Sequence, residues 1–552
     1  MNVTSNETTE LLHGTKDNLT HLIPKPYFIK NGSLFIEKEI KRNGENTTET
    51  YQITTTIPFI TERNTDIETG EVSYLLEFND GYNNVKRNVQ AKDITQRNEL
   101  RNLASIGLDV DDETVRSLLK YLTAFRRMNP PKNVNVATRL GYVGNYFIHP
   151  LLDNNIKLIT HESGYKAIIE SFKTKGTLQD YAESVFQPIT QSPMAMMLLY
   201  ASAGSILLHD FNVEPFVIDL SGKSSKGKTT ALKIASNVYG RNLFSHWNQT
   251  RVSIERNAAF MNSFAVSLDD SRKANPYIIP DVIYQFSSGL TKGRGSLKGV
   301  QEEKTFQNIL ISTGETSLVN YGNEKAGIGG RVVTLQDNPF SNDVDFTSLY
   351  DALNANYGTL GLAYIKQYQE NKEHYYAVFR KYELMFIKKA EDNEIMQRIG
   401  RAFAVLLTSG EIINNIKGFE HDHYLIVDTA YNSMKRQNQA IDKPKQLLEG
   451  LLEKLDADRS HITGVDYGDD FRGEIRAVFN RNYLCILTNT VKEHLGYEFH
   501  TTVKEWQERG YLITESDRTV KQVKYKGERY RGYAIKNDVI NELGFDFERE
   551  SI

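Results

Sequence analysis

From residue 25 to about 95, apolar and polar residues alternate along "YFIKNGSLFIEKEI", "YQITTTIPFI" and "VSYLLEFNDGYNNVKRNVQ". Period-2 patterning broken at Asn-Gly and Asp-Gly predicts short strands joined by tight turns, hence a small antiparallel β domain. At "DDETVRSLLKYLTAFRRM" the period becomes helical, with Asp111 or Asp112 as the cap. "TRLGYVGNYFIHP" then predicts a short hairpin. From about residue 175 helical and strand patterns alternate. A helix from Met194 precedes the strand "PFVIDL", and further strands fall at "SFAVSLDD", "NILISTGE" and "GRVVTL". Alternation of this kind predicts a parallel α/β sheet. Residues from about 345 to 440 are helical in pattern, including "EIMQRIGRAFAVLLTSGEIINNI". The tail reads as helices, a strand, a basic turn and a returning strand.

The expected fold class is therefore multidomain α/β. An N-terminal β-rich domain (1–105) and a connecting α/β region (106–174) precede a parallel α/β core (175–345). A helical lid or linker (346–444) and a C-terminal domain (445–552) follow. A chain of 552 residues is long enough for two to four domains. Its net charge of -4 gives no global basic signal, so nucleic-acid contact has to come from local patches. The single cysteine, Cys485, sits in the apolar run "YLCILT" and reads as a small core residue; cysteine-based zinc sites are excluded. The run "MAMMLLYASAGSILLHD" is interrupted by Ser202, Gly204 and Ser205 and falls short of the ~20 apolar residues of a membrane span. The polar N-terminus has no signal-peptide layout, so the expectation is a soluble cytoplasmic protein without membrane contact.

Between the strand "VIDL" and the helix "KTTALKIASNVYG" lies a loop matching GxxxxGK(S/T) at every fixed position. It comprises Gly222, Lys223, Ser224, Ser225, Lys226, Gly227, Lys228 and Thr229, with Thr230 following. The glycines let successive backbone N–H groups turn inward onto phosphate oxygens, and the helix that follows adds its positive dipole end. Lys228 would reach the β- and γ-phosphates of ATP, and the Thr229 hydroxyl would ligate Mg2+. "FAVSLDD" delivers Asp269 to hold the hydrated metal and Asp270 to polarise the attacking water. The strand "NILISTGE" ends in Ser312, Thr313 and Glu315; Thr313 is the best candidate to sense the γ-phosphate or orient the water. Arg331, in "GIGGRVVTL", is a candidate arginine for charge developing on the γ-phosphate.

Inserted between these strands is "SSGLTKGRGSLKGVQEEKTFQN", in which Lys292, Arg294 and Lys298 stand among four glycines. A glycine-jointed basic hairpin suits a sugar-phosphate backbone and does not read sequence. In this order "GKSSKGKTT", "SLDD", "SGLTKGRGSLKGV", "ISTGE" and "GIGGR" resemble the ATPase domain of MCM-like AAA+ helicases of staphylococcal cassette chromosomes and related mobile elements. The resemblance covers roughly residues 175 to 345. It implies a homo-oligomeric ring, six-membered by family, with ATP between subunits, Arg331 acting in trans, and the basic insert lining a pore. It makes Arg398 and Arg401, on the helical lid, candidates for a second sensor arginine. The tail resembles a winged helix, with "TTVKEWQERGYL" as its recognition-like helix. Lys521, Lys524, Lys526, Arg529 and Arg531 lie in its wing, and Tyr525 and Tyr530 offer stacking surfaces. Winged helices also contact proteins.

Two functional readings follow. One is an ATP-dependent helicase translocating on single-stranded or forked DNA to replicate a mobile element. The other is an ATP-switched DNA-binding initiator or loader that does not unwind processively.

Overall fold

The computed structural model describes residues 21–42, 45–153, 155–293, 295–296, 299–300, 303–322, 327–390, 394–437, 443–465, 467, 473–514 and 518–547. The alternating N-terminal stretch forms β1 (Tyr27–Lys30), β2 (Ser33–Arg42) and β3 (Glu45–Thr54), an antiparallel three-stranded sheet. It then forms β4 (Phe59–Asp66), β5 (Val72–Asn79) and β6 (Asn84–Gln90) of a second sheet. That sheet does not stop at residue 105. Helix α1 (Val115–Met128) buries Leu118, Tyr121, Leu122 and Phe125 in the same core as β1–β6. The chain then returns as β7 (Lys132–Ala137), parallel to β4. The hairpin of β8 (Gly141–Val143) and β9 (Tyr146–Ile148) follows, and β10 (Lys157–Leu158) closes the order β10-β7-β4-β5-β6. The sheet is thus mixed, where alternation alone predicted purely antiparallel pairing. Asp111, not Asp112, caps the turn into α1, accepting from the N–H groups of Glu113 and Thr114.

The next unit is built around a parallel five-stranded sheet, ordered β12-β13-β16-β11-β17. Its strands are β11 (Phe216–Ser221), β12 (Ser245–His246), β13 (Val266–Asp269), β16 (Ile309–Gly314) and β17 (Val332–Leu335). Every residue of β11 and β16 is buried, as expected for strands covered on both faces. Helix α2 (Pro193–Gly204) is buried from Met194 to its end; this apolar run is a core helix. It packs between α3 (Lys228–Ser236) and the long helix spanning Glu394–Asn414. The helices of residues 346–437 contribute Phe379, Phe403, Leu406 and Tyr431 to the same continuous core as the sheet. Helix α4 (Arg251–Met261) precedes β13, and between β13 and β16 run α5 (Ile279–Ser288) and a small ladder of β14 (Gly295–Ser296) with β15 (Gly299–Val300).

The C-terminal region has its own core, around Leu448, Leu452, Phe479, Ile486 and Trp506. Its sheet, β18 (Ile462–Gly464), β19 (Ala477–Asn480), β20 (Tyr483–Leu487), β21 (Lys521–Tyr525) and β22 (Glu528–Lys536), is ordered β18-β19-β20-β22-β21. Cys485 is buried on its other face with Val478 and Val523. Among the described residues no helix is long and apolar enough to cross a membrane.

Candidate nucleotide site and basic hairpin

Because all five strands run parallel, their C-terminal ends share one edge, the edge at which open α/β sheets hold ligands. Register fixes which side chains meet there. Leu220 lies beside Thr313, and Leu268 beside Ser312, which brings Asp269 next to Thr313.

β11 ends at Ser221 and the chain turns through Gly222. Lys223, Ser224, Ser225 and Lys226 are exposed. Gly227 starts α3 with φ 90°, and a Cβ there would lie 2.8 Å from the Phe340 ring, so backbone conformation and space both demand glycine. The Lys228 ammonium folds across the mouth of the loop, donating to Gly222 O (2.8 Å) and Lys223 O (2.6 Å). Partial burial lowers its pKa from the usual lysine value. The Thr229 hydroxyl donates to Asp269 Oδ1 at 3.1 Å. Thr230 departs from expectation: it is buried, its hydroxyl 2.6 Å from Tyr350 Oη, so that oxygen is turned away from the loop.

Asp269 is the hub of this edge. It also accepts from Thr313 Oγ1 at 2.5 Å, and Thr313 in turn accepts from the Asp270 N–H at 3.3 Å. Thr313 therefore orients the two aspartates. Asp270 sits in the left-handed region, at φ 59°, with Oδ2 3.3 Å from Lys273 Nζ and Oδ1 3.7 Å from Arg272 Nε. Arg272 reaches on to Glu315, at 2.6 Å. His246, on β12, lies 3.9 Å from Asp269 Oδ2 through its Nδ1. Sequence reasoning passed over Arg272, Lys273 and His246. The first two follow the Asp-Asp pair directly and were open to a local reading, whereas His246 reaches the site only through strand order.

Beneath the loop Asp219 is fully buried in β11. Its Oδ2 accepts from the Leu318 N–H at 2.9 Å, tying the loop's strand to the segment after β16. Burial pushes its carboxyl up to about 6.

Three arginines stand elsewhere. Arg331 precedes β17, its guanidinium 4.6 Å from the Tyr284 ring centre and 2.7 Å from Gly327 O. Burial, then neighbouring Arg398, lowers its pKa. Arg398 pairs with Glu214, and Arg401 with Glu383 at 2.6 Å. All three line one cleft with Phe216 and Val332, at the N-terminal ends of β11 and β17. At about 3.3 Å per residue, β11 puts this edge roughly 20 Å from the phosphate loop. Arg398 and Arg401 are therefore not brought to the loop of their own chain, contrary to the simplest reading of a second sensor. The helix carrying them packs against the opposite edge.

Of the basic insert, Lys292 is exposed, and Arg294 and Lys298 lie outside the described residues. The foot is well fixed: Leu290 bridges Thr305, Thr291 N donates to Lys304 O (2.9 Å), and Lys304 N to Thr291 Oγ1 (2.8 Å). In the tail, the β21–β22 hairpin divides its five cations. Lys524, Arg529 and Arg531 share the exposed face of the β21–β22 ladder, with Lys524 opposite Arg529. Lys521 and Lys526 instead lie over the rings of Tyr483 and Tyr525. Tyr525 and Tyr530 pack toward Val523 and Cys485, so they are not on the face that carries the three cations.

The class defined here is an α/β protein whose parallel sheet carries a glycine-lysine loop, an aspartate pair and a threonine on one edge. Residues 27–306 match the family described as Domain of unknown function (DUF927), and the chain belongs to it. No curated protein matches it by sequence. Its fold is similar to that of a solved structure titled "SCCmec type IV Cch - active helicase", with TM-score 0.71 and 16% identity, over 94% of this chain and 99% of that one.

Proposed function

We propose that the chain is an ATP-dependent DNA helicase of the MCM-like AAA+ kind, assembling as a ring with ATP between neighbouring protomers. The observation that carries this reading is where the basic hairpin is inserted. It lies between β13 and β16, the two strands that bring Asp269 and Thr313 together, so the nucleotide edge and the hairpin are ends of one connected unit. The similarity in fold to a structure titled an active helicase supports it, as does the tail, read as a winged helix with three cations on one exposed face.

In this mechanism Lys228 exchanges the carbonyls of Gly222 and Lys223 for the β- and γ-phosphates, while the N–H groups of the loop and of α3 cradle them. Thr229 and Asp269 present hard oxygen donors 3.1 Å apart, a set suited to Mg2+, which would offset charge on the phosphate oxygens. Thr313 keeps Asp269 in place. Asp270 leaves its half-exposed partners Arg272 and Lys273, pairs of little strength, to polarise the attacking water. Arg331 of the neighbouring protomer, with Arg398 and Arg401 beside it, neutralises charge developing on the γ-phosphate. The hairpin, with Lys292, Arg294 and Lys298, grips the strand.

Strand displacement from forked DNA tests this. Unwinding should require ATP, vanish in Lys228→Ala, and vanish with DNA-stimulated hydrolysis in Lys292→Ala/Arg294→Ala. ATP hydrolysis and DNA binding without displacement on any fork would replace the helicase with an ATP-switched binding protein.

A further inference from the structure

A second feature lies at the hairpin's foot, where four segments separated in sequence enclose a cleft of about 210 Å³. Arg139, just after β7, forms one wall, Arg256 on α4 another, and Lys292 and Lys304 come from the two arms of the foot. Four cations thus face two carboxylates, Glu162 and Glu255. Their engagements differ. Arg139 is buried and held by both oxygens of Glu68, and it also donates to Thr305 O. Glu255 is buried, with Oε1 accepting from the Lys292 N–H at 2.8 Å. Among the described residues, Arg256, Lys292 and Lys304 join no ion pair. The floor includes Tyr165 stacked on Phe260, at 4.0 Å between centroids and 1° between planes.

Like charges gathered in a cleft repel one another, and apolar walls strengthen the field they make. Such an arrangement is favourable once an anion enters. The cleft is also rigid, because backbone hydrogen bonds tie both arms of the foot together and Arg139 ties the foot to the N-terminal sheet. We propose that it binds a phosphodiester of single-stranded nucleic acid, carrying the strand from the hairpin toward the N-terminal sheet. The assignment rests on the helicase reading for the identity of the ligand. It adds Arg256 and Lys304 as backbone contacts and Tyr165 as the apolar wall beside the sugar or base.

The test is fluorescence anisotropy of a labelled oligothymidylate across a salt series, with native protein, Arg256→Ala/Lys304→Ala, and Lys381→Ala/Lys388→Ala. The last pair removes equal charge from the exposed face of a helix elsewhere. Each phosphate contact to a single strand contributes about 0.7 to the slope of log K against log salt. The cleft variant should therefore lose about 1.4 of slope and bind about 25-fold more weakly at ~0.1 M salt. It should melt as the native protein does, and the control pair should bind like native protein. Equal affinity and slope in the cleft variant overturn the assignment while leaving the helicase reading intact. Failure of the native protein to bind the strand at all overturns both. A free-nucleotide site would appear differently: in a Lys228→Ala background, the cleft variant would lose a fluorescent ATP analogue and keep oligothymidylate, and the strand assignment would fall.

Discussion

Asp219 shows how much a single buried group can set. Its carboxyl titrates at about 6 in the folded chain against 3.8 ordinarily, so between those values the folded state holds a proton that the unfolded state has lost. Stability from this group is present at low pH and is lost as pH rises through that window. Above it the buried charge costs about 3 kcal/mol, two pKa units at 1.36 kcal/mol each. Asp219→Asn keeps an acceptor for the Leu318 N–H and carries no charge. It should raise the melting temperature at pH 7.5 and give no gain at pH 4; an equal gain at both would show that charge is not the cause. Residues such as Thr229, Asp269 and Thr313 were legible because each stands at a fixed offset within one local strand or turn. His246 was not, since only the pairing of β12 with β13 brings it to Asp269. Asp219 was visible as an acid in an apolar run, but its burial depends on strands on both sides.

At the level of elements, local period gave most strands and helices, and it failed where partners are distant. β7 follows a helix and reads as a new beginning, yet its neighbour is β4, some seventy positions earlier. No period in either strand encodes that pairing or its direction. The apolar run at Pro193–Gly204 was legible as a buried helix because its length and interruptions exclude a span. In the β21–β22 hairpin, composition showed five cations, but only the pairing puts Lys524, Arg529 and Arg531 on one face. If the exposed face meets DNA, Lys524→Ala/Arg529→Ala/Arg531→Ala should weaken forked-DNA binding by at least tenfold at ~0.1 M salt, with a flatter salt slope. Lys521→Ala/Lys526→Ala should change it far less. Equal losses from the two sets would mean that the ladder's faces do not matter to binding.

For the whole molecule, the decisive geometry is that the glycine-lysine loop and Arg331 occupy opposite edges of one sheet. On the proposed reading a complete site needs two chains, and complementation tests it. Lys228→Ala and Arg331→Ala should each be inactive alone. Mixed, they should recover part of the ATP hydrolysis, because some junctions pair an intact Lys228 with an intact Arg331. No recovery at any ratio would place Arg331 outside the reaction. The helices of residues 346–437 share one continuous core with the sheet, so substitutions in that core bear on the stability of both.

The same separation gives the proposed motor a built-in economy. On that proposal, a chain that carries the two halves of its site on opposite sides does not turn over fuel in isolation. Turnover per chain then rises steeply with local crowding, and diluted copies idle. Hydrolysis begins where copies gather, so recruitment to DNA can serve as the ignition without any separate inhibitor.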